Sequence, residues 1–265
     1  MGYAKARIEA FLRERLFGSR IFPPARTTYQ FFFNRGKLES RRRMRRFYSE
    51  FIHDGDLVFD VGANVGIYSE IFSELGAEVI AIEPNPSCCR LLQNLARNRR
   101  VKIETCALGD APGKTLLRLS DNRQLSSVNP DWCKKLEQST LHRNSRWVGE
   151  MEVEVTTLDR LAARYGIPNF VKIDVEGFDD AVMRGMSFKP EVLTFEFNRL
   201  LPAVAARCLE APVVISGYEF NFVHGGKMQC AAQNWLLREV FAEHLDALVA
   251  EEPSGDVIAR RIARG

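Results

Sequence analysis

The sequence predicts an α/β fold with a mostly parallel, doubly wound sheet. Three observations support this prediction. From Asp56 onward, short β-rich runs alternate with helical segments, a pattern typical of βαβ units. The first β-rich run leads into a turn with two glycines, DVGANVG. The chain has 265 residues, 46% of them hydrophobic, which is enough for one sizeable domain.

The β-rich runs and their connections follow in chain order. Candidate strands are DLVFDV, EVIAIE, VKIETCAL, FVKIDV and EVLTFEF. The helix after the first strand is amphipathic and should end at Gly76, and Asn85 with Pro86 should begin the next. Near the end, YEFNFV and NWLLREV flank Gly225-Gly226 and predict a hairpin that finishes the sheet. Residues 120–150 show little periodicity and are interpreted as an irregular insertion.

Residues 1–50 form a separate, basic segment that we expect to be a helical arm, followed by the main domain at 51–265. The arm contains 13 Lys and Arg against four Glu, a net charge of +9, whereas the whole chain carries +3. Met44, Phe47, Tyr48 and Phe51 fall at helical spacing and predict one buried stripe, with the arginines of RRRMRR outside. This basic face fits either an anionic partner or simple solvation.

Composition excludes several classes of protein. The six cysteines show no CxxC or Cys/His spacing, so we expect reduced thiols and no metal site. No apolar run approaches the roughly 20 residues that span a bilayer, and the first residues lack the apolar core of a signal peptide. The expectation is a cytoplasmic protein, with peripheral membrane contact through the basic arm as the alternative.

The ends of the strands carry the candidate chemistry, because ligands of open parallel sheets bind beyond the carboxyl ends of the strands. Gly62 and Gly66 would allow a tight turn that lets the backbone approach a ligand closely, and the next helix offers free amides. The second strand ends at Glu83, an acid placed to accept hydrogen bonds from a ribose diol. These features predict a cofactor that contains adenosine.

Two details favour S-adenosylmethionine over a nicotinamide dinucleotide. Asp60 places a carboxylate where a pyrophosphate would be repelled and an α-ammonium group attracted. The turn reads GANVG and lacks the GxGxxG pattern of dinucleotide sites. Asp110 in ALGD either accepts a hydrogen bond from the adenine amine or is a surface turn acid.

At this point the sequence resembles the FkbM family of S-adenosylmethionine-dependent methyltransferases. The resemblance rests on DLVFDVGANVG, AIEPNP, ALGD, TTLDRL and KIDVEG, and it covers roughly residues 50–240. It implies a Rossmann-like class I methyltransferase fold with a terminal antiparallel strand, and O-methylation of a hydroxyl on a sugar, glycolipid or secondary metabolite. The positions expected to bind the cofactor are Asp60, Gly62, Ala63, Asn64, Gly66, Glu83, Pro84, Asn85, Leu108, Asp110 and Asp174.

Methylation of a hydroxyl needs a group that accepts its proton. Asp174 ends the fourth strand, Glu176 lies just beyond it, and Glu196 nears the end of the fifth, so these three acids are the catalytic candidates. Asp174 ranks first by position, although it could instead orient the cofactor's ammonium. His224 is a further candidate base, with a turn histidine as the alternative. The acids Asp159, Asp179 and Asp180 are interpreted as helix N-terminal residues.

Three other functions remain as alternatives. The basic arm, with Phe31 to Phe33 and Tyr48, would suit a nucleic-acid methyltransferase, but no RNA-binding module supports one. A non-catalytic adapter could keep the fold, and a nicotinamide oxidoreductase would use another cofactor. The favoured acceptor is a small molecule or glycan hydroxyl, with a lipid-linked acceptor as an extension of that expectation.

Overall fold

The structure is a computed structural model that describes residues 35–97, 99–139, 145–224, 227–251 and 254–262. The sequence patterns before residue 35 lie outside the described residues. The strands, in chain order, are β1 (Leu57–Val61), β2 (Glu78–Ile82), β3 (Val101–Glu104), β4 (Ala107–Leu108), β5 (Gly113–Ser120), β6 (Trp147–Thr156), β7 (Phe170–Ile173), β8 (Val192–Asn198), β9 (Tyr218–His224), β10 (Leu236–Leu237) and β11 (Ser254–Arg261).

Helices lie between most of these strands. They are α1 (Arg35–Tyr48), α2 (Ile67–Glu74), α3 (Pro86–Ala96), α4 (Pro130–Gln138), α5 (Leu158–Tyr165), α6 (Asp179–Arg184), α7 (Pro202–Leu209) and α8 (Arg238–Glu251). A short 3-10 helix covers Arg123–Leu125. None of the helices in the described ranges is long and apolar enough to cross a membrane.

The main sheet has eight strands in the order β3-β2-β1-β7-β8-β11-β9-β10. Strands β3, β2, β1, β7 and β8 pair in parallel, whereas β11 pairs antiparallel with both β8 and β9. The order reverses beside β1, which leaves a crevice at the carboxyl ends of β1 and β7. The predicted class I fold with a terminal antiparallel strand is confirmed.

The end of the chain differs in detail from the predicted hairpin. Strand β9 does pair with β10, but β10 is only two residues long and α8 follows it at once. The last strand in the described part of the chain is β11, which inserts between β8 and β9. Its apolar run, VIA, is short and lies between Asp256 and Arg260, so it gives little signal of a strand that is buried on both sides.

The interpretation of residues 120–150 as an irregular insertion is wrong for Pro130–Gln138 and for the residues from Trp147 onward, which form regular elements, and 140–144 lie outside the described residues. Strands β4, β6 and β5 form a second, three-stranded sheet, and α4 lies between β5 and β6. Asn129 caps α4 by accepting from the backbone amides of Asp131 and Trp132, and Pro130 occupies the first turn. The second sheet leads back through β6 into α5 and the main sheet.

The predicted apolar stripe is confirmed for the three members that lie on α1, whereas Phe51 lies beyond the end of this helix and is half-buried. Met44, Phe47 and Tyr48 are buried, and the arginines after Arg41 point outward. The Tyr48 ring packs edge-on against Phe72 of α2 and Phe170 of β7, with centroids 5.0 and 5.9 Å apart. The C-terminal half of α1 therefore packs into the core on one face of the main sheet.

Candidate cofactor and catalytic site

A cavity of about 340 Å³ lies at the carboxyl ends of β1, β2, β7 and β8. The turn after β1 and the segment from 122 to 128 complete its wall. Nine of the residues expected from the sequence line it, namely Gly62, Ala63, Asn64, Glu83, Pro84, Leu108, Asp174, Glu176 and Glu196. Four others do not line it: Asp60, Gly66, Asn85 and Asp110.

The turn after β1 depends on Gly62. This glycine has a φ of 79°, and a Cβ built on it would lie 1.8 Å from the carbonyl oxygen of Asp174. The sequence predicted a close approach of this backbone to a ligand. The structure shows that the close approach is to the backbone that follows β7, so the glycine brings the ends of two neighbouring strands together.

Glu83 fixes the shape of the turn from the neighbouring strand. Its Oε2 accepts a hydrogen bond of 2.8 Å from the backbone amide of Asn64, and its Oε1 accepts one of 2.7 Å from the amide of Asn85. Burial raises the pKa of the Glu83 carboxyl to about 7, although the two amides favour the charged form. Glu83 lies on the cavity wall, and a carboxylate oxygen can accept more than one hydrogen bond, which fits the predicted ribose contact.

Asp60 is placed differently from the expectation. Its carboxylate is buried, accepts a 2.5 Å hydrogen bond from the Ser69 hydroxyl, and does not line the cavity. Burial raises its pKa to about 6, against the opposing effects of Lys172 and Ser69. Asp60 therefore joins β1 to α2 inside the protein, and contact with a cofactor ammonium at this position stays a prediction.

Two other expected cofactor residues have structural partners. The Asn85 side chain accepts from the Ser87 amide and caps α3, as its position before Pro86 predicts. Asp110 is exposed and lies 3.5 Å from Arg184, away from the cavity wall. This placement favours the surface-turn alternative for Asp110 over the adenine contact.

Three acids, Asp174, Glu176 and Glu196, make one part of the cavity wall acidic, and we call this part the acidic end. Lys172 and Asp174 form an ion pair there. Lys172 is buried within the sheet, and its Nζ donates to Asp174 Oδ2 at 2.7 Å and lies 4.0 Å from Asp256. The Nζ also lies 4.4 Å from the centre of the Tyr68 ring. Burial alone would lower the pKa of Lys172, but the neighbouring carboxylates hold it well above its usual range. Lys172 is thus a charged partner of Asp174 that the sequence analysis missed.

Glu176 and Glu196 lie beyond this ion pair on the cavity wall. Glu176 sits in a left-handed turn with a φ of 55°, which directs the chain into α6. Glu196 accepts a 3.1 Å hydrogen bond from Asn198 at Oε1, while its Oε2 is buried without a hydrogen-bond partner in the described part of the chain. Burial raises the pKa of both carboxyls well above the usual range, and repulsion by neighbouring acids adds to it.

The segment that contains the 3-10 helix covers the crevice and was missed by the sequence analysis. Ser127 Oγ donates to the carbonyl of Glu176 at 2.9 Å, and Asn129 Nδ2 donates to the carbonyl of Gly177. On the other side of the crevice, Asn64 Nδ2 donates to the Arg123 carbonyl at 3.3 Å. The segment therefore bridges the turns that follow β1 and β7. Asn129-Pro130, a helix-start signal, was the available clue.

His224 is the last residue of β9, and this end of β9 points in the same direction as the carboxyl end of β8. It pairs in register with Gly255 of β11, and its ring packs edge-on against Phe222 with centroids 5.2 Å apart. It does not line the cavity. Among the residues that the structure describes, no three His, Cys, Asp or Glu side chains are grouped to hold a metal ion.

Together these features define a class of protein. The strand order, the glycine turn after β1 and the acid at the end of β2 form the cofactor half of a class I methyltransferase. The chemistry of the wall fits S-adenosylmethionine, because Glu83 suits a ribose diol, Leu108 and Val128 offer apolar contact to a base, and the acidic end suits a cationic amino acid moiety.

The comparisons with known proteins agree with this class. Residues 60–227 match the family model described as the methyltransferase FkbM domain, and the chain belongs to this family of S-adenosylmethionine-dependent methyltransferases. The 31-O-demethyl-FK506 methyltransferase FkbM of Streptomyces tacrolimicus is 30% identical, over 51% of this chain and 61% of that protein. The hexuronic acid methyltransferase AglP of Haloferax volcanii is 31% identical, over 57% of this chain and 58% of that protein. The chain thus matches less than two thirds of each relative.

Among solved structures, the chain is similar to the precorrin-6y C5,15-methyltransferase of Geobacter metallireducens GS-15. It has 14% sequence identity and a TM-score of 0.41, and the match covers 83% of this chain and 88% of that one.

Proposed function

We propose that this chain transfers a methyl group from S-adenosylmethionine to a hydroxyl oxygen of a sugar, glycolipid or secondary metabolite. The observation that carries the proposal is the cavity itself, which joins Glu83 at the end of β2 to Asp174, Glu176 and Glu196 at the ends of β7 and β8. One end suits the adenosine of the cofactor, and the other places carboxylates where a hydroxyl could lose its proton.

The residues of the wall divide the work of binding. Glu83 would accept from the ribose, Pro84 and Leu108 would contact the base, and Asp174 would attract the ammonium group. When bound, the cofactor supplies an activated methyl group. The protein then has to hold the acceptor oxygen in line with that group, exclude water and accept a proton. The segment 122–128 covers the crevice and supports the exclusion of water.

The proposed class of acceptor is supported by the names of the two relatives. They are named for 31-O-demethyl-FK506 and for hexuronic acid, and both of these molecules carry hydroxyl groups. We extend this acceptor class to the present chain. The exposed arginines of α1 further suggest an acceptor that is lipid-linked or held at an anionic surface, with peripheral membrane contact through the arm.

The experiment has two steps. Calorimetric titration with S-adenosylmethionine and with NADH should give binding of the first alone, and the reverse result would reject the cofactor. Incubation with S-adenosylmethionine and a panel of uronic acids, hexosides and macrolides should then give a methylated product by mass spectrometry. Methylation of RNA, with none of any hydroxyl compound on the panel, would favour the nucleic-acid alternative. Cofactor binding without methylation of the panel or of RNA would favour a non-catalytic adapter.

A further inference from the structure

We propose that Glu176 and Glu196 act as one proton-accepting pair, which holds a proton in the free protein and gives it up when the cationic methyl donor binds. This inference rests on the proposed function and assigns the proton acceptor within that same cavity. Two glutamates, from the turn after β7 and from β8, line the same wall. Glu83 follows β2, whereas these glutamates belong to the turn after β7 and to β8, on the other side of β1 in the sheet. We place the acceptor hydroxyl beside the two glutamates.

Asp174 is the least suitable base among Asp174, Glu176 and Glu196. Its Oδ2 accepts from the Lys172 ammonium at 2.7 Å, and Lys172 is enclosed by the sheet, so this pairing cannot relax into solvent. Because Asp174 Oδ2 already accepts a hydrogen bond from this ammonium group, it is not the oxygen best placed to accept a proton from a hydroxyl. The geometry therefore gives Asp174 a charge role, beside the ammonium group of the cofactor.

Among the residues described, Glu176 and Glu196 have no comparable ion pair. In the described part of the chain, no ion pair joins either glutamate to a basic side chain. Repulsion by Glu196, Asp174 and Asp179 raises the pKa of Glu176, and Lys172 lowers it. Repulsion by Asp174, Asp179 and Asp256 raises the pKa of Glu196. Since nearly all of these neighbours are acids, two full negative charges at the pair would repel each other and their surroundings.

The environment of Glu196 leaves room for a proton. Asn198 satisfies only Oε1, and Oε2 is buried without a partner among the described residues. A buried carboxylate oxygen without a donor is unfavourable, whereas a shared proton or an incoming hydroxyl would satisfy it. Glu196 Oε2 is thus the atom that we assign to the acceptor's proton.

The charge balance of the reaction matches this assignment. The pair accepts the hydroxyl proton as the O–CH₃ bond forms and the S–CH₃ bond breaks, so the proton replaces the positive charge that sulfur loses. Binding of the donor brings that positive charge into the cavity and would displace the proton of the pair beforehand. The base would then be ready only when the methyl donor is present.

Calorimetry tests this without any acceptor. We would titrate S-adenosylmethionine and its neutral-sulfur product S-adenosylhomocysteine near neutral pH, in two buffers of different ionisation enthalpy. The wild type should release about 0.5 to 1 proton per S-adenosylmethionine bound, and clearly less with the product. A double variant, Glu176→Gln with Glu196→Gln, should lose most of this release. Asp110→Asn, an exposed acid outside the cavity, should behave as wild type.

The outcomes separate the two proposals. Failure of the wild type to bind S-adenosylmethionine would reject the proposed function. Binding with equal proton release in the wild type and the double variant would overturn the inference alone. If the double variant does not fold, ¹³C NMR of labelled glutamate side chains in the wild type replaces it. Two glutamate carboxyl signals should shift to the ionised form on addition of S-adenosylmethionine, and unchanged signals would equally overturn the inference.

Discussion

The backbone of Gly62 lies directly against the carbonyl oxygen of Asp174, so closely that a Cβ at position 62 would be 1.8 Å from that oxygen. Gly62 belongs to the turn after β1 and Asp174 to the turn after β7, and these two strands pair in parallel. This contact sets the spacing between the turn that follows β1 and Asp174, the residue that follows β7.

We predict that Gly62→Ala destabilises the protein by about 2 to 5 kcal/mol, because the methyl group meets backbone and the φ of 79° is unfavourable for alanine. Urea denaturation measures the free energy of unfolding. The matched control is Gly113→Ala at the start of β5, where a Cβ would meet nothing within 4 Å. Equal midpoints for the two variants would show that the turns can separate without cost.

Removal of the Glu83 carboxylate should weaken cofactor binding. Glu83→Ala deletes the expected ribose acceptor and leaves the amides of Asn64 and Asn85 without their partner, so we expect a loss of about 1 to 3 kcal/mol in binding. Calorimetric titration with S-adenosylmethionine gives the value. Asn85→Ala is the control, since it removes the cap of α3 without changing the cavity wall. Comparable losses of affinity in both would point to the shape of the turn as the cause.

The sheet could be predicted from the sequence where its strands are continuous apolar runs. Strands β1, β2, β7 and β8 start and end within two residues of the predicted ones, because strands buried on both faces leave that signal. The second sheet was overlooked although EMEVEV in β6 alternates with a period of two. The many charged residues around this segment favoured an irregular loop, and they outweighed the alternation that indicates a strand.

The site could be predicted only in part. Position at the strand ends identified Glu83, Asp174, Glu176 and Glu196, and all four line the cavity. The ion pair of Lys172 with Asp174 was not apparent, because a lysine within a strand normally indicates an exposed edge. Lys172 can be buried because two carboxylates, Asp174 just after the same strand and Asp256 on β11, lie beside its ammonium group. The second of these was not apparent because β11 is distant in sequence.

Two adjacent acids in α6 should give opposite dependences of stability on pH. Burial raises the pKa of Asp179 to about 7, and its Oδ2 has no hydrogen-bond partner in the described part of the chain. The folded protein therefore keeps a proton that the unfolded chain releases near its ordinary value of 3.8. The stability that this group provides is present at low pH and lost as the pH rises through the interval up to about 7.

We predict that Asp179→Asn gains stability relative to wild type by roughly 1 to 3 kcal/mol between acidic and neutral pH. Urea denaturation at several pH values measures this. A constant difference from wild type across that interval would mean that Asp179 does not titrate there.

Asp180 should behave in the opposite way. Burial alone would raise its pKa, but hydrogen bonds from Arg207 and Arg184, at 2.6 and 2.9 Å, hold it below its usual range. The stabilisation by Asp180 is present above the pKa that this carboxyl has in the unfolded chain. It is lost as the pH falls through the lower pKa that the carboxyl has in the folded protein. Asp180→Asn should thus cost about 1 to 3 kcal/mol at neutral pH and little in strong acid. The same denaturation series measures it, and a cost that persists in strong acid would contradict the assignment.

The outer face of α1 should bind anionic membranes if the arm contributes to acceptor docking. Arg42, Arg43, Arg45 and Arg46 are exposed, whereas Arg41 pairs with Glu70 and Glu74 of α2. Sedimentation with phosphatidylserine-containing vesicles should show binding that Arg42→Gln with Arg45→Gln weakens by about 2 kcal/mol, roughly 30-fold.

The control for this prediction carries the same change of charge elsewhere. Arg90→Gln with Lys114→Gln neutralises two exposed cations on α3 and β5 and should leave binding intact. Equal binding to neutral phosphatidylcholine vesicles, or none to either, would leave α1 with a packing role only.

The insertion of β11 between β8 and β9 has a consequence for biosynthesis. Because β9 contacts the rest of the main sheet through β11, a nascent chain cannot close this sheet until residues 254–261 have left the ribosome. Until then, both β8 and β9 expose unpaired edges, and the buried Lys172 lacks one of its two carboxylate neighbours, Asp256. Nascent chains stalled just before β11 should therefore be the species that chaperones retain.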